Sequence, residues 1–269
     1  GGKSLNTDFR PPSAGPYEFN ESQVEGLTKQ GKDIEQAKAD RAKASGHYYR
    51  LMMEHVKKVL ADIKRVYPAY DPEQGYELAG FVWFQGWNDM VDRGTYPNRG
   101  KPGGYDAYSD LLAQFIRDVR KDLSAPKMPF VIGVMGAGGP TDKYTPSQMR
   151  YKDIHDNFRM AMAAPAALPE FKGNVAAVRT EKYWDMELVE LKARDAKIRQ
   201  TIEELKEQGN LSREEEKAVL EKHRAKAFTP RELEILTEST SNFEFHYWGS
   251  AKIMAQIGKG FAEAMVEMM

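Results

Sequence analysis

The 269-residue chain contains no cysteine, which excludes cysteine nucleophiles, thiolate metal ligands and disulfides. That absence leaves the redox compartment open, because a chain of this length can bury a core that needs no covalent staple. Charge of one sign is missing as well. With 39 basic and 40 acidic side chains the formal net charge is -1, so no overall field draws the chain to nucleic acid or to anionic lipid, and neither partner is expected. No apolar run approaches the roughly 20 residues of a membrane span, and Gly1–Gly2–Lys3–Ser4 is not a signal peptide. Histidine is scarce at five residues, and no close His/Asp/Glu grouping has zinc or calcium spacing, so no metal and no cofactor are expected. What remains is a composition of 41% hydrophobic and 29% charged residues, which describes a globular chain with one substantial core.

The first twenty residues carry glycine and proline at turn-like spacing, with Asp8, Arg10 and Tyr17 between them, and read as a structured loop. From Asp33 to Val66, Leu51, Met52, Val56, Val59, Leu60 and Ile63 recur at three- and four-residue steps, predicting one long helix that ends before Pro68. Leu78–Phe84 is a short apolar run that delivers the polar segment Gln85–Gly86–Trp87–Asn88–Asp89 at its carboxyl end. A helix over Tyr105–Leu123, a strand over Pro129–Met135 that ends in Gly136–Ala137–Gly138–Gly139, a helix from Ser147 to Ala163 and a strand over Asn174–Thr180 follow. Apolar strands separated by helices predict a mostly parallel sheet covered on both faces.

Residues 185–237 differ in texture. Leu188, Leu191, Ile198, Ile202 and Leu205 form a narrow apolar stripe on a charged helix, which breaks at Gln208–Gly209–Asn210. Ser212 with Glu215, and Thr229–Pro230 with Glu232, are capping boxes that start two further helices. This segment reads as an inserted helical hairpin whose stripe packs within the molecule, the other reading being a protein-binding face on Leu188, Leu191 and Ile202. A last helix from Ser250 to Met268 buries Ile253, Ile257, Phe261 and Met265.

Two polar loops carry the chemistry. In an open parallel sheet the strand carboxyl ends gather loops into one crevice, so Gln85–Asp89 and Glu244–Gly249 can meet despite their separation. Gly86 allows close backbone approach, and the Asn88 amide can donate to an oxyanion that develops in acyl transfer; a turn or helix cap is the plainer role for an asparagine there. His246 precedes a glycine-terminated loop and can serve as a general base near neutral pH, or be an ordinary half-buried ring. His47, His55 and His155 lie in helical patterns and His223 in the charged segment, so none of them competes. Gly1–Gly2–Lys3–Ser4 has no glycines or strand ahead of it, and Gly136–Ala137–Gly138–Gly139 runs into Pro140 and lacks the lysine and serine or threonine of that motif, so neither is a phosphate loop.

The segments GFVWFQGWND (Gly80 to Asp89), GGKSL at the amino terminus and FEFHYWGSAKIMAQIGKGFAEAM resemble, in turn, the glycine–asparagine–aspartate block, the glycine block and the carboxyl-terminal block of the SGNH hydrolases. The branch they are similar to is that of carbohydrate esterases related to sialate O-acetylesterase. The resemblance implies a flavodoxin-like three-layer α/β/α sandwich with a mostly parallel sheet, a single domain over 1–269 and a charged helical insertion at 185–237. It also implies removal of acetyl groups from sugar hydroxyls, an acetylated carbohydrate as partner, and a secreted or periplasmic location. His246 would be the base, and Asn88 and Gly2 the oxyanion donors. Arg10, Gln85 and Trp87 would contact substrate, although Arg10 serves equally well as an ion pair securing its loop.

Two departures from the family pattern stand out. The Gly-x-Ser block and the first strand are expected ahead of Gly1, so the nucleophilic serine is not among these residues. The usual Asp-x-x-His pattern would put the acid at Phe243; Glu244 and Asp185 are the candidates left to orient His246. With both features missing, the alternative is a noncatalytic carbohydrate-binding or structural relative. Neither a protein partner nor an oligomeric state is legible.

Overall fold

The computed structural model describes residues 2–209 and 212–269; Gly1, Asn210 and Leu211 lie outside the described residues, Asn210 being part of the predicted helix break. The elements in chain order are α1 (Glu21–Lys29), α2 (Ile34–Ala44), α3 (His47–Ala61), β1 (Phe81–Trp83), α4 (Trp87–Val91), α5 (Asp106–Asp122), β2 (Phe130–Val134), α6 (Lys152–Ala163), β3 (Val175–Arg179), α7 (Met186–Gly209), α8 (Arg213–Ala227), α9 (Pro230–Glu238) and α10 (Ala251–Met268). Short 3-10 turns join several of them. The single long helix expected over Asp33–Val66 is instead α2 and α3. Gly46 separates them at φ +66°, where a Cβ would lie 2.8 Å from the Arg10 carbonyl oxygen, so a left-handed residue without a side chain turns the chain there.

The sheet is small, open and parallel, in the order β1-β2-β3, with Trp83 opposite Ile132 and Val134 opposite Arg179. β2 is central and every residue in it is buried. Alternation along a strand sends successive side chains to opposite faces, and both faces are used. One carries Trp83, Phe130, Ile132 and Val134 against α5 and α6: the Phe115 ring lies 4.3 Å from that of Trp83, and Phe158 of α6 is fully buried. The other carries Gly133, over which Phe261 of α10 packs so closely that a Cβ would lie 2.5 Å from its ring. Helices on either side of one sheet make a three-layer arrangement.

Among the described residues the outer edge of β1 has no strand beside it. Val82 and Phe84 of that region are 44% and 37% exposed.

Beyond β3 the charged segment folds as a hairpin of α7 and α8, followed by α9. Ser212 and Thr229 form the capping boxes read from sequence. The stripe is used inside the molecule: Leu188 joins the main core, while Leu191 packs with Phe228 and Leu236 in a small second core and Ile202 is buried. Asp195 ties the hairpin together, accepting from Arg199 of its own helix at 2.8 Å and from Arg224 of α8 at 2.6 and 2.7 Å. Burial pushes its acidity down, yet the two guanidinium groups overcome this and hold its pKa below the usual carboxylate range.

Candidate active site

The parallel sheet aims all its strand carboxyl ends in one direction, and the polar loops gather there. The first pair to meet is the amino-terminal loop and the exit of β1. Asp89, with no exposed surface, accepts from the Leu5 N–H at 2.8 Å, the Asn6 N–H at 3.0 Å and Gln85 Nε2 at 2.7 Å. Gln85 Nε2 also donates to the Lys3 carbonyl at 2.9 Å. Burial raises the Asp89 pKa to about 6 against the lowering effect of those donors. Gln85 and Asp89 thus fasten residues 3–6 across the end of β1. Gly2 stands at the start of that fastened loop at φ +74° and is exposed.

Asn88 is half-buried in the first turn of α4, and its amide has no hydrogen-bond partner among the described residues. Arg10 is committed to loop carbonyls, donating to Gly15 at 2.7 Å, Asn6 at 3.2 Å and Ala14 at 3.2 Å. It braces the amino-terminal loop.

The second loop arrives from the far end of the chain. Tyr247 and Trp248 are buried and adopt φ of 53° and 54°, a left-handed conformation that costs a side-chain-bearing residue about 1–2 kcal/mol each. A directed chain of hydrogen bonds holds this turn down. Thr180 Oγ1 donates to the Val134 carbonyl at 2.7 Å, the Gly136 N–H donates to the Tyr247 hydroxyl at 2.9 Å, and Tyr247 Oη and Thr180 Oγ1 are 3.3 Å apart. Since the Thr180 proton is spent on Val134, the Tyr247 proton goes to Thr180. The His246 loop is therefore bonded to the carboxyl ends of β2 and β3 together.

His246 itself is exposed. Its Nδ1 lies 2.9 Å from Asn242 Oδ1, and that same oxygen accepts from the Phe243 N–H at 2.8 Å. An atom that accepts from a backbone N–H is the amide oxygen, so Nδ1 carries a proton, and in the neutral ring Nε2 is the lone pair. Neither expected acid touches the ring. Glu244 accepts from Gln148 Nε2 at 3.1 Å, and its partial burial raises its pKa against that bond. Asp185 is buried, caps α7 through the Leu188 N–H at 3.2 Å and pairs with Lys252 at 2.8 Å.

The two polar loops do meet. The rings of Trp87 and Phe245, the chain neighbours of Asn88 and His246, are 5.5 Å apart. They form one rim of a cavity of about 390 Å³ that is also lined by Tyr144, Tyr151, His155 and Glu244. No group of three or more His, Asp or Glu side chains among the described residues is arranged to hold a metal ion.

The family model for carbohydrate esterase, sialic acid-specific acetylesterase, matches residues 27–187, more than half of the chain. The chain belongs to this carbohydrate-esterase family. The matched stretch contains Gln85, Trp87, Asn88 and Asp185, while Gly2, Arg10, Glu244 and His246 fall outside it. No curated protein and no solved structure matches the chain in the corresponding comparisons. Membership carries a hydrolytic role on a carbohydrate-type substrate. Among the described residues no helix is long and apolar enough to cross a membrane.

Three residues stand at this site with no local sequence signal for their contacts there: Asn242, Tyr247 and His155. The family pattern points to an acid three positions before His246, whereas the partner of the ring is an asparagine four before it. Nothing local to Tyr247 reveals that its hydroxyl reaches Gly136, 111 residues away.

Proposed function

We propose that this esterase removes acyl groups, chiefly acetyl, from carbohydrate hydroxyls, with His246 as the general base in a serine–histidine mechanism. The observation that carries the reading is the state of His246: Asn242 Oδ1 holds the Nδ1 proton, presenting Nε2 as the base on a loop bonded to the sheet's carboxyl edge. Asn242 does for the ring what a carboxylate does in a triad, namely fix its tautomer and direction, without supplying a charge.

In this reading the serine lies on a strand ahead of Gly1 that pairs with the open edge of β1, beside the loop that Asp89 and Gln85 fasten. His246 Nε2 takes the serine proton as the hydroxyl oxygen attacks the acetyl carbonyl. The Asn88 amide and the Gly2 N–H donate to the resulting oxyanion. Collapse breaks the bond to the sugar oxygen, which leaves with the proton from His246. Water, deprotonated by the same nitrogen, adds to the acyl carbon, and collapse of that intermediate releases acetate as the serine oxygen takes the proton back from His246. Trp87 and Phe245 form an aromatic wall for the sugar.

The test is acetate release from acetylated monosaccharides by a polypeptide that carries a Gly-x-Ser segment ahead of Gly1. His246→Ala and serine→Ala should each lower turnover by at least about a hundredfold without unfolding the protein. Equal activity in His246→Ala removes it as the base. Sugar binding without hydrolysis in the parent polypeptide establishes the noncatalytic alternative.

A further inference from the structure

His155 is a titratable group that the esterase chemistry leaves unused, and its surroundings fix its state. The Tyr144 hydroxyl lies 2.5 Å from its Nδ1, and the Tyr151 ring is stacked on it at 6.0 Å and 14°. The guanidinium of Arg159 lies beside both Tyr144 and His155. It is fully buried and bonded to the carbonyls of Met135 at 2.9 Å and Ala137 at 3.0 Å, so it cannot move away. Burial first, and this positive neighbour second, lower the His155 pKa to about 4, so the ring is neutral at pH 7.

A neutral imidazole has one donor nitrogen and one acceptor. Burial raises the Tyr144 pKa, so its phenol keeps its proton. His155 Nδ1 is the one hydrogen-bond partner of that hydroxyl among the described residues, so the phenol proton goes to it. The ring is therefore the Nε2–H tautomer. Nε2 has no partner among the described residues, and it is not among the buried polar atoms left unpaired. It is thus a donor without a partner among the described residues, on a ring that lines the cavity. On the same lining stands Glu244, with Gln148 bonded to one carboxylate oxygen. The Gln148 amide is itself oriented by Thr145, whose N–H and hydroxyl both donate to its Oε1.

We propose that this cavity is the sugar-ring subsite, in which His155 Nε2–H donates to one ring hydroxyl and the free oxygen of Glu244 accepts from another, while the ring seats against Trp87 and Phe245. Tyr144 is a positioning residue that sets the tautomer of His155. The volume of about 390 Å³ lies within the range of small-molecule sites, roughly 300–1,000 Å³. A fixed donor and a fixed acceptor beside aromatic faces suit a ring that is apolar on its faces and polar at its edges. The proposal rests on the carbohydrate-esterase reading for its ligand class, but it does not depend on turnover.

The experiment is therefore a binding measurement. Methyl glucoside, methyl xyloside and N-acetylneuraminic acid, none of them esterified, are titrated into the chain with ring nitrogens labelled. Binding of at least one should move the His155 Nε2 resonance, and its position in the free protein should be that of a protonated nitrogen. Tyr144→Phe and Glu244→Gln should each weaken binding about two- to tenfold, the range for one lost hydrogen bond. The proposal is overturned if none of the three sugars binds, if one binds without disturbing the His155 nitrogen, or if the proton is found on Nδ1. Binding of this kind with no ester hydrolysis by the longer polypeptide would defeat the catalytic reading and leave the subsite standing.

Discussion

Removing one oxygen atom, in Tyr247→Phe, tests how the His246 loop is held. The ring keeps its contacts with Phe84 and Trp184 at 5.6 and 5.8 Å, so packing is conserved and only the hydroxyl is lost. Its loss leaves the Gly136 N–H buried without an acceptor, which costs about 1–3 kcal/mol. The turn it anchors stores about 2–4 kcal/mol in the left-handed conformations of Tyr247 and Trp248, at about 1–2 kcal/mol each. The two magnitudes are comparable. Without the anchor the strained turn should therefore loosen, and not merely become less stable in place. The expected outcome is a melting temperature lower by roughly 2–4 °C for each kcal/mol lost, together with faster hydrogen exchange at the Gly136 amide and a broadened His246 ring resonance. A cycle with Thr180→Val should show coupling of roughly 0.5–3 kcal/mol, because the two hydroxyls are links in one chain. Unchanged stability and unchanged Gly136 exchange in Tyr247→Phe would refute the reasoning outright, since the bonded chain would then contribute nothing.

Two further outcomes concern catalysis and pH. In the polypeptide with the upstream segment, Asn242→Ala should lower kcat by at least about tenfold with KM little changed, and Asn242→Asp should restore it; a normal kcat in Asn242→Ala means the ring needs no orienting partner. Asn88→Ala should lower kcat by about 100- to 1,000-fold if its amide stabilises the oxyanion.

The pH dependence of stability contains two opposed contributions. Asp89, raised to about 6 from the usual 3.8, binds its proton more tightly folded than unfolded, so its contribution is highest below pH 4 and declines by roughly 3 kcal/mol as pH rises to 6. His155, lowered to about 4 from 6.5, contributes in full above pH 6.5 and loses roughly 3 kcal/mol as pH falls to 4. Over pH 4 to 6 these slopes nearly cancel. Denaturant titrations should show Asp89→Asn gaining stability with rising pH in that window and His155→Phe losing it; parallel profiles for the parent and both variants would contradict the assignments.

Periodicity and capping were enough to locate most elements. The five apolar residues of β2, the amphipathic pattern of α5, and the Ser212 and Thr229 boxes are local signals, because side-chain period and cap chemistry act over a few residues. The break at Gly46 was missed because the helical pattern runs on through it, and only the approach of the Arg10 carbonyl from another loop demands a left-handed glycine. Asn88 and His246 could be proposed from sequence, Asn88 because it follows a strand and both because of the family resemblance. Their surroundings could not. Which atom holds the His246 proton, that Gln85 and Asp89 fasten residues 3–6, that Asp185 serves Lys252, and that His155 faces a cavity are all set by contacts between segments distant in the chain. Local sequence specifies what each side chain can donate or accept; only packing decides which partner it meets.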